Sequence, residues 1–238
     1  MSDKTLTIGI LKTDDVRPQL VDEFGEYPEM FARLLGELDG DLTFKTYDVQ
    51  RGELPESVDE VDAYLITGSK TSVYEPLQWI ADTEAFLRKA HAAKKKMLGV
   101  CFGHQLLAQA LGGKTVKAGQ GWGLGVHHYQ LSDAAGDYGQ AGEDFSMLVS
   151  HQDQVVENIP GAEVLASSGF CPNAMVKVDD HILSFQAHPE FTKDYSEALL
   201  TLRREVFGDD NVEKALASLR DDVSFNRVTK WMLQFFRA

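Results

Sequence analysis

One segment constrains this chain more than any other: Met97-Leu98-Gly99-Val100-Cys101-Phe102-Gly103-His104-Gln105. The apolar run at residues 97–100 reads as a buried strand. Two glycines then bracket a single cysteine. Apolar residues at helical spacing follow at once, Leu106, Leu107, Ala110 and Leu111, and Gly112-Gly113 stops them. A strand, a tight turn carrying a nucleophile and an immediate helix make a nucleophile elbow, here with Cys in place of Ser. The residue types follow from that geometry. Gly99 and Gly103 remove side chains that would collide around a strained turn. The turn lifts the sulfur clear of the sheet edge and sets it at a helix N-terminus, where N–H groups and the helix dipole favour negative charge. The N–H of Phe102 is then placed to donate to an oxyanion. The bland alternative, a small buried cysteine behind a strand, explains neither the glycines nor the helix.

The chain up to Gly113 repeats the strand-then-helix rhythm. Residues 5–11 read as a strand, and residues 14–28, broken by Pro18, Gly25 and Pro28, as mostly loop. Met30, Phe31, Leu34, Leu35 and Leu38 form a helical stripe ending at Gly40. Residues 42–49 are a second strand, residues 50–59 a loop, and residues 63–67 a short apolar strand running into Gly68-Ser69-Lys70. Trp79, Ile80, Thr83, Phe86, Leu87 and Ala90 make a helix whose end carries Lys94-Lys95-Lys96, read as a solvated terminus complementing the dipole. Such alternation implies a parallel sheet covered on both faces. After Gly113 the pattern becomes short strands at residues 114–117, 124–131, 147–149, 163–167, 174–178 and 182–186, with residues 132–144 as a surface insertion. From Thr192 onward the chain reads as helical, and Val228, Trp231, Met232, Phe235 and Phe236 form a stripe that should pack on the body. No linker or repeat interrupts it, so one domain is expected.

A cysteine nucleophile needs a base, and the base needs an orienting group. His188 stands at the end of the apolar strand Ile182-Leu183-Ser184-Phe185, with Pro189 fixing the backbone and Glu190 following. Open α/β sheets build sites at the carboxyl ends of their strands. His188 is therefore the expected base and Glu190 its orienting carboxylate. His151, in Ser150-His151-Gln152-Asp153, is the runner-up base. His104 follows the elbow, His91 lies on a helix, His127 and His128 lie in a strand, and His181 lies in a turn. Cys171, before Pro172, has no elbow and reads as structural. Trp122 and Phe170 are candidates for the pocket mouth. No His/Cys/Asp spacing suggests a metal, and no phosphate loop or dinucleotide fingerprint is present, so no cofactor is expected.

Composition narrows the partners. The formal net charge of −14 over 238 residues disfavours nucleic acid and anionic membranes as partners and leaves a small-molecule substrate open. No apolar run is long enough to span a membrane, and Met1-Ser2-Asp3-Lys4 lacks a secretory profile. Two cysteines make no disulfide framework, so a reducing, cytoplasmic setting is expected.

Gly99-Val100-Cys101-Phe102-Gly103-His104-Gln105 together with His188-Pro189-Glu190 resembles the paired signatures of the class I (triad-type) glutamine amidotransferases, over about residues 5–192. The resemblance implies a flavodoxin-like three-layer α/β sandwich with a mostly parallel central sheet. Residues 1–238 would form a single domain, with a core at about 5–192 and a helical extension at about 193–238. It implies a Cys101–His188–Glu190 triad that cleaves a γ-glutamyl amide through a γ-glutamyl thioester, with no metal or cofactor. The N–H groups of Gly68 and Phe102 would hold the oxyanion. Ser69, Gln105 and the stretch Ser150, His151, Gln152, Asp153 would line the substrate pocket. Synthetase members of the family have an acceptor domain or subunit that uses the ammonia, and residues 193–238 are too short and too helical to make one. Gly68-Ser69-Lys70, Trp79-Ile80 and Cys-Phe-Gly-His-Gln look more like the free-standing branch that includes the γ-glutamyl peptidases. Three readings stay open: a glutaminase feeding a separate synthetase subunit, a self-sufficient γ-glutamyl hydrolase acting on glutathione-like substrates, and a non-catalytic or redox-sensing relative.

Overall fold

Apolar runs separated by amphipathic helices fold, in the computed structural model, into strands that share one direction. The structure describes residues 5–238, so the reading that residues 1–4 lack a secretory profile lies outside the described residues. The first half of the chain supplies strands β1 (Leu6–Lys12), β2 (Leu42–Asp48), β3 (Ala63–Ile66) and β4 (Lys96–Val100). The second half supplies β5 (Lys114–Lys117), β6 (Gly123–Leu131), β7 (Asp144–His151), β8 (Asp153–Glu157), β9 (Glu163–Ser167), β10 (Met175–Val178) and β11 (Ile182–Phe185). Nine of them form one sheet in the order β2-β1-β3-β4-β11-β10-β9-β6-β7, and β5 and β8 pair as a separate ribbon. The pairings β2–β1–β3–β4–β11 are all parallel, and those from β11 through β10, β9 and β6 to β7 are all antiparallel. Only β10 and β6 therefore run against the rest, and the sheet is mostly parallel in direction. The carboxyl ends of β1, β3, β4, β11 and β7 meet along one edge.

β3 and β11 are buried at every position, as strands covered on both faces must be. On one face helices α2 (Tyr27–Gly36) and α8 (Phe225–Arg237) bury Phe31, Leu35, Trp231 and Phe235 against Ile8, Leu98 and Leu183. On the other, α3 (Gln78–Ala92), α4 (Phe102–Ala110) and the ribbon bury Leu87, Leu106 and Val155 against Ile66 and Met97. The result is the three-layer α/β sandwich. Helices α5 (Lys193–Leu202), α6 (Arg204–Phe207) and α7 (Asp209–Ser218) pack beside β6.

Four local expectations need correction. Residues 14–28 are not mostly loop: Pro18–Phe24 forms helix α1, and α2 begins at Tyr27. Pro18 and Pro28 sit in the first turns of these helices, where no N–H is required, and Gly25 at φ 80° ends α1. The breakers were starts and a stop. Helix α2 ends at Gly36 rather than Gly40. Residues 132–144 are not merely a surface insertion, because Ala135 and Tyr138 are buried and the Tyr138 ring meets Trp231 edge-on at 6.1 Å. Of the three lysines, Lys96 is not a solvated helix end: it opens β4, and its amine donates to the Phe235 carbonyl at 2.5 Å in the last turn of α8. The strand β8 was not anticipated.

Candidate active site

Cys101 occupies the turn between β4 and α4 with φ 51° and ψ −101°, a conformation that a residue with a Cβ adopts only under compulsion. The surroundings supply it. The Cys101 N–H donates to the Phe185 carbonyl at 2.8 Å, and the Cys101 carbonyl accepts from Gln105 N–H at 3.1 Å. Close packing explains the bracketing glycines. A Cβ on Gly99 would lie 2.6 Å from the Gly103 carbonyl oxygen, and one on Gly103 would lie 2.8 Å from the Ile66 Cβ. Helix α4 starts at Phe102, whose N–H has no preceding helical carbonyl to bond.

Register brings the partners alongside. Val100 is paired with Phe185 of β11, so Cys101 and the 186–190 segment leave adjacent strands on the same edge. On the other flank Gly99 is paired with Ile66 of β3, which delivers Gly68. A Cβ on Gly68 would stand 2.9 Å from His188 Cε1 and 3.7 Å from the Cys101 Cβ. Gly68, Cys101 and His188 thus touch around one point. The Thr13 hydroxyl lies 2.8 Å from the Gly68 carbonyl and fixes that loop from β1.

The imidazole is held by a carboxylate and an aromatic ring, and the His188 backbone by strand β7. His188 Nδ1 lies 2.7 Å from Glu190 Oε1, and both side chains are buried. The Phe191 ring stacks on the imidazole with centroids 3.9 Å apart, and His188 N–H donates to the Leu148 carbonyl at 2.9 Å. Burial opposes the imidazolium, but the charges of Glu190 and Cys101, with hydrogen bonds to both, outweigh it and hold His188 well above its ordinary value. The second Glu190 oxygen is buried with no hydrogen-bond partner among the described residues. Glu190 therefore depends on the imidazolium to compensate its burial.

Two cavities open on Cys101. The larger, about 290 Å³, is lined by Ser69, Gln105, Ser150, His151, Gln152 and Asp153, with Tyr74, Trp122 and Arg203 around them. The smaller, about 40 Å³, is lined by Gly68, Ser69, Ser150 and His188, with Asp14, Arg17, Tyr27 and Arg203. Gln105 stiffens the larger wall by donating to the Asp153 carbonyl at 2.8 Å and to Gln186 Oε1 at 3.1 Å. The Tyr74 hydroxyl donates to Asp153 Oδ1 at 3.1 Å. His151 turns its Nδ1 to the Asp153 carbonyl at 3.2 Å, and burial pushes it down to about 3. His104 meets the Ser184 hydroxyl at 2.8 Å and is pushed down by burial to about 4. Both are neutral imidazoles, and neither is hydrogen-bonded to Cys101. Cys171 is buried away from both cavities, its thiol pushed up by burial to about 12. Trp122 stands at the larger cavity, whereas Phe170 lies behind it with its ring against His127 and His151.

The sequence reading missed Phe191, Gln186, Tyr74, Arg17 and Arg203. Gln186 carried a signal, being a polar residue that continues a buried strand. Arg17 and Arg203 lie far from the elbow in sequence, and only the fold brings them to it.

A strained cysteine between a central strand and its helix, flanked by a glycine loop and a carboxylate-bound histidine on the neighbouring strand ends, defines a class of protein. The class I glutamine amidotransferase family model matches residues 19–202, and the chain belongs to that family. It is 31% identical over 176 residues to gamma-glutamyl peptidase 2 of Arabidopsis thaliana, covering 72% of this chain and 70% of that one. It is 25% identical over 228 residues to the glutamine-hydrolyzing GMP synthase of Streptococcus pyogenes, covering 90% of this chain but 42% of that enzyme. Its fold matches the crystal structure of a glutamine amidotransferase from Methylobacillus flagellatus with a TM-score of 0.77 at 19% identity, covering 98% of this chain and 93% of that one.

Proposed function

We propose that this protein hydrolyses the γ-glutamyl amide bond of a small substrate, acting without a synthetase partner. The Cys101 thiolate attacks the γ-carbonyl carbon. The carbonyl oxygen takes the negative charge and is met by the N–H groups of Gly68 and Phe102. The His188 imidazolium gives its proton to the amide nitrogen as the C–N bond breaks, which frees the amine and leaves a γ-glutamyl thioester on Cys101. Water then enters, gives a proton to His188 and attacks the thioester. The C–S bond breaks and the thiolate returns. Glu190 orients the imidazole and stabilises its cation in both halves.

One observation carries this reading: the Glu190-bound, Phe191-stacked imidazole of His188 beside the strained Cys101. The similarity to a gamma-glutamyl peptidase favours a self-sufficient hydrolase. The similarity to GMP synthase keeps open ammonia supply to a synthetase, which turnover by the isolated chain would decide.

The test is turnover of γ-glutamyl amides by the purified protein, with mass spectrometry of a glutamine-analogue electrophile bound to it. The electrophile should modify Cys101 and spare Cys171, and Cys101→Ala should abolish both labelling and turnover. His188→Ala should lower kcat by about 10³-fold or more, and Glu190→Ala by about 10–100-fold. Wild-type turnover by His188→Ala would remove the assignment and turn attention to His151. Ready peroxide modification of Cys101 without electrophile labelling would favour a redox-sensing relative.

A further inference from the structure

In a chain with 37 acidic and 23 basic side chains, an arginine normally finds a carboxylate. Arg51, Arg88, Arg204, Arg227 and Arg237 each do. Arg33 and Arg220 do not but are exposed to water, Arg33 donating to the Phe24 carbonyl; Arg17 and Arg203 are half-buried, and no hydrogen bond or ion pair among the described residues engages either guanidinium. Both line the smaller cavity at Cys101. The carboxylates on that wall are already matched. Asp14 takes the Lys70 amine at 2.5 Å and the Lys70 N–H at 2.9 Å, and Asp15 is paired with Lys12 and Arg51. Arg203 is instead fixed by aromatic faces, with its guanidinium carbon 4.5 Å from the Phe207 ring centroid and 5.6 Å from that of Trp122. Burial and the nearby Arg17 cation both press on its charge. Asp14 offsets part of that pressure from a distance, but no carboxylate among the described residues contacts either guanidinium, and two neighbouring cations with their donors unused suit an incoming anion.

Their position tells which part of a substrate they would meet. His188 lines the smaller cavity and not the larger. The departing nitrogen must receive its proton from His188, so the amine leaves through that smaller cavity. At about 40 Å³ the cavity exceeds the roughly 10–15 Å³ that one ordered water needs, which leaves room for a carboxylate. We infer that Arg17 and Arg203 bind a carboxylate on the amine half of the substrate, so that the protein acts on γ-glutamyl amino acids or peptides in preference to glutamine. This rests on the hydrolase reading above. A leaving ammonia would gain nothing from two neighbouring cations.

The test compares kcat/KM for γ-glutamylglycine with that for γ-glutamylglycinamide, which differ only in the acid. The wild-type protein should favour the acid by about 10–100-fold, the range of a charge-assisted contact. The preference should shrink with rising salt and appear in KM more than in kcat. Arg203→Gln and Arg17→Gln should each bring the ratio towards one, and Arg203→Lys should restore part of it. An equal loss on both substrates would mean that the guanidiniums hold the shared glutamyl end, and would overturn the inference. A wild-type ratio near one would overturn it too, while leaving the hydrolase reading in place. Failure to turn over either substrate, with no acylated Cys101, would remove the hydrolase reading itself.

Discussion

Gly68 is the residue where the proposed chemistry has least room. A methyl group there would sit 2.9 Å from His188 Cε1, so Gly68→Ala must push the imidazole away from the sulfur. Displacements near 1 Å in a reacting pair cost about 100-fold in rate. We expect Gly68→Ala to lower kcat by about that factor while circular dichroism and the thermal midpoint stay near wild type; unchanged kcat would show that His188 has slack. At this scale the sequence was informative where the candidate site is written into covalent neighbours. Glycines on both sides of Cys101 and a proline between His188 and Glu190 are local constraints, and they stand out without a fold. Phe191, Arg17 and Arg203 offer no such pattern. A phenylalanine after a strand and an arginine at a helix end are ordinary until the sheet edge gathers them.

Helix α8 shows what an element contributes when its sequence is read by period. Its apolar stripe lies on the sheet, with Trp231 edge-on to Phe145 at 5.1 Å and buried. Trp231→Ala should cost about 3–5 kcal/mol through lost burial and a residual cavity, measured by urea unfolding. In a chain of this size that lowers the thermal midpoint by roughly 6–20 °C. A shift of about 1 °C would mean that α8 is not part of the cooperative unit. The long periodic helices were legible because a stripe of several turns outweighs accidents of composition. Helix α1 was not, since seven residues give too short a stripe and its proline and glycine look like breakers. Strand β8 was lost for a related reason: Asp153-Gln154-Val155-Val156-Glu157 has one buried apolar residue, and it is a strand because β5 lies beside it.

For the molecule as a whole, buried histidines pull stability in opposite directions. His104 and His151 are pushed by burial from the ordinary 6.5 down to about 4 and about 3. The unfolded chain takes up their protons first as pH falls, so their contribution is full above 6.5 and is lost progressively below it. His188 is raised. Its contribution is full below 6.5 and is lost as pH climbs toward the raised value. The urea midpoint should therefore be highest near pH 6.5 and decline on both sides. His188→Gln should flatten the alkaline side, and a wild-type midpoint that keeps rising through pH 8 would contradict this balance.

The last strand made, β11, is inserted between β4 and β10 in the middle of the sheet. A ribosome will therefore have released the thiol well before the imidazole emerges. On the proposed chemistry, until that final strand slots home the nascent chain carries a warhead without a trigger. Any segment that delays the insertion would keep the newborn protein chemically silent.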